Sequence, residues 1–261
     1  MSSHIIALVT DFGSEDGYAA AMKGRILSLT PGVTLVDVSH DITPYNIRQA
    51  AFALNNCYPY FPPKTIFVVV VDPGVGTERN GLVIKTSQYY FIGPDNGVFS
   101  FIYAREAYQA YRIVLHQMEV TISPTFHGRD VFAPIAAKIA ANKNIGNYLA
   151  ETREVVSFLH PPVRTSEKTF TLEALTIDHF GNIILNFHKK DWQKLGNTPN
   201  ISVVINDQTL NGIHETFGKT GEGELLLTWD SSDYLQIACN KGNAAERLQF
   251  SLTDSIQLKI W

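Results

Sequence analysis

The sequence predicts an α/β N-terminal domain, a mostly parallel sheet covered by helices, followed by a smaller antiparallel β-barrel-like C-terminal domain. Two observations carry this reading. Over roughly the first 160 residues, short β-rich runs alternate with helical apolar spacing, the pattern of strands joined by crossover helices. After Pro161-Pro162 the texture changes to short strands separated by turn pairs, as in a compact antiparallel domain. The expected domains are 1–160 and 168–261, with a Pro-rich and charged boundary from Leu159 to Lys168.

The individual elements follow from their side chains. Ile5 to Thr10, Thr34 to Val38, Thr65 to Val71 and Leu82 to Thr86 are rich in β-branched residues and almost continuously apolar, as strands buried on both faces are. Tyr18 to Leu29 reads as a helix that stops at Thr30-Pro31-Gly32. From Asn46 onward, Ile47, Ala50, Ala51, Leu54 and Cys57 fall at helical spacing and leave Arg48, Gln49 and Asn55 facing outward. A further helix is expected from about Arg129 to Ala141, with Pro134 in its first turn or at a kink. In the second domain the strands are Phe170 to Ile177, Ile183 to Phe187, Ile201 to Ile205, Leu225 to Trp229, Tyr234 to Ala238 and Ser255 to Ile260, with turns at Asn211-Gly212 and Lys241-Gly242.

Composition narrows the function. The 261 residues are 45% hydrophobic and 18% charged, and 21 Lys+Arg against 25 Asp+Glu give a net charge of −4 with no run of like charge. A phosphate-backbone binder would carry a basic patch, so no nucleic-acid partner is expected. The longest apolar run, Ile66 to Val71, is far shorter than the ~20 residues of a membrane span, so no membrane partner is expected either. Ile5 to Val9 has no basic region before it and runs directly into Thr10-Asp11, a strand rather than a signal sequence; the expectation is a cytoplasmic protein. Cys57 and Cys239, far apart and without a nearby Cys or His, read as two buried, reduced thiols.

In a parallel sheet, ligands collect at the carboxyl ends of the strands. Those ends here are polar: Thr10-Asp11-Phe12-Gly13, Asp37-Val38-Ser39-His40-Asp41 and Asp72-Pro73-Gly74-Val75-Gly76-Thr77-Glu78-Arg79, joined by the loop Thr125-Phe126-His127-Gly128-Arg129-Asp130. Some of these residues have plainer roles open to them. Asp41 and Asp130 suit helix N-caps. Gly74-Val75-Gly76 lacks the Lys-Ser/Thr of a P-loop and reads as a tight turn. His40, His179 and His188 read as structural histidines. Taken by themselves, Asp11, His40, Asp72, His127 and Asp178 can equally ligate a divalent metal for hydrolysis, although no His-x-x-x-His spacing supports it.

Seven motifs occur in one order: Thr10-Asp11-Phe12-Gly13; Val36-Asp37-Val38-Ser39-His40; Val71-Asp72-Pro73-Gly74-Val75-Gly76-Thr77-Glu78-Arg79; Gly93-Pro94-Asp95-Asn96-Gly97; Thr125-Phe126-His127-Gly128-Arg129-Asp130; Asp178-His179-Phe180-Gly181-Asn182; and Asp233-Tyr234-Leu235 with Ala244-Ala245-Glu246-Arg247. Together they resemble the S-adenosylmethionine hydroxide adenosyltransferases, hydrolytic relatives of fluorinase and chlorinase. The resemblance implies a homotrimer that binds S-adenosylmethionine between subunits and displaces methionine from ribose C5′ by water or hydroxide, with no cofactor and no metal. It assigns catalysis to Asp72, Arg79 and His127. It assigns Asp11 to the ribose hydroxyls, Tyr45 to packing on the ribose or substrate chain, and Asn182, Phe217 and the backbone at Asn240 to adenine. Asp178 and Ser231 match residues that hold the methionine ammonium, and Ser232 stands where fluorinase carries Arg.

Two alternatives stand beside this reading. A halogenase needs an anion pocket, in which Asp72 would repel the halide by about 4 kcal/mol at 4 Å for an effective dielectric near 20. The long fluorinase insertion after the third strand is also missing, because Arg79 passes directly into Gly81-Leu82-Val83. A non-catalytic nucleoside-binding or S-adenosylmethionine-binding protein would need Asp11, Asn182 and Phe217 but not the three catalytic residues.

Overall fold

The computed structural model describes residues 4–118, 121–196 and 200–261. The chain divides into two compact units, 1–158 and 159–261.

The first unit contains β1 (Ile5–Thr10), α1 (Tyr18–Leu29), β2 (Thr34–Ser39), α2 (Ile47–Cys57), β3 (Ile66–Val70), β4 (Gly81–Thr86), β5 (Tyr90–Pro94), α3 (Ser100–Arg105), β6 (Tyr108–Ile113), α4 (Ala133–Ala140) and β7 (Leu149–Thr152). Its strands form one sheet in the order β2-β1-β3-β5-β4-β6-β7. The β2-β1-β3-β5 half is parallel, and β4, β6 and β7 extend it antiparallel. Strand alternation splits the core between two faces. Ile6, Leu8, Ile66 and Val68 pack with Met22 and Ile26 of α1 and Ile135 and Ala136 of α4. On the other face, Phe67 stacks on Phe91 at 5.2 Å and meets Tyr58 edge-on, at the end of α2.

Several expectations change here. Thr34 to Val38 is not buried on both faces: β2 is an edge strand with no fully buried residue. Leu82 to Thr86 lies in the antiparallel extension. Asn55 is 1% exposed rather than outward, because α2 packs on α3 as well as on the sheet, so its buried arc is wider than one face requires. The expected Arg129 to Ala141 helix opens with a π-helical turn, Gly128–Phe132, in which the Ala133 amide bonds Gly128 O; α4 begins only at Ala133, with Pro134 in its first turn. There the missing Pro N–H costs nothing.

The second unit holds β8 (Val163–Ser166), β9 (Thr169–Leu172), β10 (Ala174–Ile177), β11 (Ile183–His188), α5 (Lys189–Lys194), β12 (Ile201–Ile205), β13 (Gln208–Asn211), β14 (Leu225–Trp229), β15 (Tyr234–Cys239), α6 (Ala244–Arg247) and β16 (Ile256–Ile260). They form two antiparallel sheets, β10-β11-β15-β14 and β13-β12-β16-β9-β8, around one apolar core. The run Phe170 to Ile177 is therefore two strands, one in each sheet, parted at Glu173. The β12–β13 hairpin turns at Asn206 and Asp207, both at positive φ; Asn211-Gly212 turns the chain at the end of β13, with Gly212 at φ 71, and Lys241-Gly242 leads into α6. Both cysteines are free, but Cys57 is only half-buried, and burial pushes its thiol up to about 11. Among the described residues no helix is long and apolar enough to cross a membrane.

Candidate active site

At the carboxyl ends of β1 and β3 the first unit opens a cavity of about 350 Å³. Of the expected site residues it brings together Asp11, Tyr45, Asp72 and His127. Asp11 follows the last residue of β1, and its Oδ2 accepts the Tyr45 amide at 2.9 Å. That contact holds Tyr45 at φ 67, with its ring 70% exposed. Asp72 follows β3, which is apolar throughout and ends where the chain turns polar.

The Asp72 side chain is 6% exposed. Its Oδ1 accepts the Gly74 amide at 3.0 Å and lies 3.1 Å from Arg79 Nε, an ion pair whose N–H is off the line of a hydrogen bond. Burial raises the Asp72 pKa against the opposing pull of the Gly74 amide, Arg79 and His127. Burial lowers that of His127, opposed by Asp72 and Asp130. His127 is therefore a neutral imidazole at pH 7, able to accept a proton.

Arg79 does not line the cavity; it sits behind Asp72, stacked over Gly74, where any Cβ would collide with its guanidinium. The Gly74-Val75-Gly76 segment is the tight turn expected, with Gly76 at φ 77 and pressed so closely on Pro124 O that no side chain fits. This locks the Asp72 loop to the His127 loop. Asp95, raised by burial, also feels the Arg79 charge while accepting the Val156 amide at 2.8 Å.

The N-cap readings are corrected. Asn46, not Asp41, caps α2 by accepting the Gln49 amide. Asp130 grips Arg129 at 2.7 and 2.8 Å and accepts the Ser123 amide at 2.9 Å, bracing the His127 loop from within. His40 lies between Thr10 and Asp37, and His188 Nδ1 accepts the Lys190 amide at the start of α5, both structural; His179 is exposed, its ring edge-on to Phe180. The metal reading loses its donor set: among the described residues no three His, Cys, Asp or Glu side chains converge as a metal site requires.

In the second unit, Asp178 and Asn182 belong to one loop. Asp178 Oδ1 accepts the Asn182 amide at 2.9 Å, and Oδ2 accepts Asn182 Nδ2 at 2.8 Å. Asn182 thus has a donor already engaged, and it is only 6% exposed. Asn240 Nδ2 donates to Thr220 O at 2.7 Å, three residues beyond the 43%-exposed Phe217. Ser231 is exposed in the turn that Asp230 Oδ1 closes on the Ser232 and Tyr234 amides.

Sequence reasoning missed the aromatic wall of the cavity. Phe12, Tyr18 and Phe126 meet pairwise at 5.4–5.9 Å, and Asp16 lines the cavity beside them. Phe12 and Phe126 lie within the Thr10-Asp11-Phe12-Gly13 and Thr125-Phe126-His127-Gly128-Arg129-Asp130 motifs, but only the folding back of 11–18 brings Tyr18 to them.

The model of the SAM hydroxide adenosyltransferase N-terminal domain matches residues 6–148, and that of the C-terminal domain matches residues 172–257. An (R)-S-adenosyl-L-methionine hydrolase of Salinispora tropica is 34% identical over 97% of this chain and 97% of its own length; one of Methanocaldococcus jannaschii is 36% identical over 97% and 95%. A fluorinase of an Actinoplanes species is 28% identical over 90% and 91%. The crystal structure of an uncharacterized conserved protein from Thermotoga maritima superposes with a TM-score of 0.84 at 31% identity, covering 97% of this chain and 99% of that one.

Proposed function

The chain belongs to the SAM hydroxide adenosyltransferase family, and from that premise we propose that it hydrolyses S-adenosyl-L-methionine to adenosine and L-methionine. The observation that carries the reading is Asp72, tied to Arg79 and opening on one cavity with Asp11 and a neutral His127.

In the reaction, a water oxygen attacks ribose C5′ and the C5′–S bond breaks, its electron pair passing to sulfur. The sulfonium leaves as a neutral thioether, so no general acid is needed. The proton shed by water passes to His127 and on to solvent. Asp72 orients the attacking water, and Arg79, paired with Asp72 at 3.1 Å, favours hydroxide character on that oxygen through its charge from behind the carboxylate. Asp11 accepts from the ribose hydroxyls, for which a two-oxygen acceptor is suited. Tyr45 packs on the ribose or substrate chain. Phe217, Asn182 and the Asn240 backbone recognise adenine, and Asp178 and Ser231 hold the ammonium.

The family resemblance further supports a cytoplasmic homotrimer with sites between subunits and no cofactor. Hydrolysis is favoured over halide transfer because Asp72 lines the cavity: its carboxylate repels a halide, whereas a neutral water can donate a hydrogen bond to it.

Incubation with S-adenosyl-L-methionine in H₂¹⁸O tests this. Adenosine labelled at its 5′ oxygen, with unlabelled methionine, is expected. Absence of adenosine, or a chlorinated nucleoside formed at high chloride, overturns the reading.

A further inference from the structure

Hydrolysis as described makes no use of His40, yet its imidazole stands in a line of contacts that ends one residue from Asp11. Thr10 Oγ1 lies 2.8 Å from His40 Nδ1, His40 Nε2 lies 3.0 Å from Asp37 Oδ1, and Asp37 Oδ2 lies 2.6 Å from Lys23 Nζ. A hydroxyl, an imidazole and a carboxylate in that order have the contacts of a nucleophilic triad. Thr10 cannot act as a nucleophile: it is 0% exposed, and its oxygen already accepts the Phe12 amide at 3.3 Å.

The arrangement works instead as a clamp. His40 is fastened twice to the turn that carries Asp11. Its side chain holds Thr10, and its backbone carbonyl accepts the Gly13 amide at 2.8 Å, so Asp11 and Phe12 are bracketed between the two bonds. Regular pairing with β3 runs to Thr10, whereas the β1–β2 ladder shifts register between Leu8 and Val9; strand pairing therefore ends one residue short of Asp11, and on the β2 side His40 supplies the hold beyond it. Donor counting assigns the protons. Nε2 lies beside the Asp37 carboxylate, its N–H off the line of a hydrogen bond, and that negative charge favours the proton on Nε2, which leaves Nδ1 as the acceptor for the Thr10 hydroxyl, whose lone pair takes Phe12 N–H. From the far side, the Tyr45 amide restrains Asp11 Oδ2.

We propose that His40 is a positioning residue: oriented by Asp37 and bonded to Thr10, it holds the Asp11 carboxylate where the ribose hydroxyls meet it. The identity of that ligand rests on the hydrolase reading. The reacting groups Asp72, Arg79 and His127 stand on other loops, so loosening the clamp weakens substrate binding and leaves the chemical step in place.

The test is steady-state hydrolysis of S-adenosyl-L-methionine, with adenosine affinity measured by calorimetry, for the full chain and its His40→Ala, Thr10→Val and Thr10→Ser variants. His40→Ala and Thr10→Val are expected to raise both KM and the adenosine Kd about tenfold, with kcat held within about twofold, the loss of one to two hydrogen bonds. Thr10→Ser keeps the hydroxyl and is expected to keep wild-type values. If His40→Ala does not fold, Asp37→Asn keeps the imidazole and removes its orienting charge, and KM is expected to rise severalfold. Folded variants with unmoved KM and Kd, or with reduced kcat at unchanged KM, overturn the proposal while an active wild type leaves the hydrolase reading standing. A wild-type chain that forms no adenosine overturns both.

Discussion

Gly74→Ala is a one-methyl test of the Arg79 seat. Gly74 is not in the left-handed region, so its backbone accepts alanine without strain. The added Cβ, however, would fall among Nη2, Nε and Cζ of Arg79. The arginine side chain is 30% exposed, free enough to swing aside. At an effective dielectric near 20, opposite unit charges attract by roughly 5 kcal/mol at 3.1 Å and roughly 3 kcal/mol at about 5 Å, so a shift of about 2 Å loses roughly 2 kcal/mol. Because that pairing sets the charge and placement of Asp72 in the proposed reaction, kcat/KM should fall about 30- to 100-fold. Stability should fall by no more than about 2 kcal/mol, the attraction given up in the folded state, since the clash itself is relieved outward. Adenosine formation measured beside thermal melting separates the two effects. Gly24→Ala makes the same chemical change inside α1 with open space around it, and serves as the control that keeps full activity. A folded Gly74→Ala protein with the wild-type rate, or one that loses rate only as it loses structure, would refute the claim that the placement of Arg79 against Asp72 carries the chemistry.

Four further outcomes are expected. The proton acceptor must be neutral, and burial holds His127 below its ordinary 6.5, so the acid limb of kcat/KM should lie below pH 6.5; a limb above that value contradicts the assignment. Because a departing thioether needs no Lewis acid, activity should survive EDTA treatment and dialysis, and a loss restored by a divalent cation would sink the metal-free mechanism. Phe67→Ala empties a fully buried site stacked on Phe91 and should cost about 3–5 kcal/mol in urea unfolding, a cost under about 1 kcal/mol being incompatible with that packing. Asp207→Gly relieves a residue at φ 62 in the β12–β13 hairpin and should raise stability by about 0.5–1 kcal/mol, whereas a fall in Tm would contradict that turn geometry.

The parts of the fold that could be read in the sequence are those where burial is symmetric. β1 and β3 are covered by helices on both faces, and their continuous β-branched runs announce it. β6 was not recognised because four of its six residues are exposed or half-buried, and Gln109 and Arg112 break the apolar pattern. α3, at six residues, is too short for a helical period to show. At the site, the carboxylates at strand ends are visible in the sequence. The support beneath them is not. Asp130 looks like any capping residue until its bonds to Arg129 and Ser123 are seen, and the interlock of Gly76 with Pro124 joins residues 48 positions apart.

The charges of the cavity explain why Asp72 is paired at all. Asp11, Asp16 and Asp72 line it, which suits a substrate bearing a sulfonium and an ammonium. The sulfonium charge is lost as the C5′–S bond breaks, so an unpaired carboxylate beside sulfur would stabilise the substrate more than the transition state and slow the reaction. In the proposed reaction Arg79, 3.1 Å from Asp72 and outside the cavity lining, removes that penalty: it offsets the carboxylate's charge and, through Asp72, favours hydroxide character on the incoming oxygen. In the same proposed reaction the Asp11 carboxylate, held by the Tyr45 amide, serves the ribose hydroxyls, where it does not resist the bond that must break.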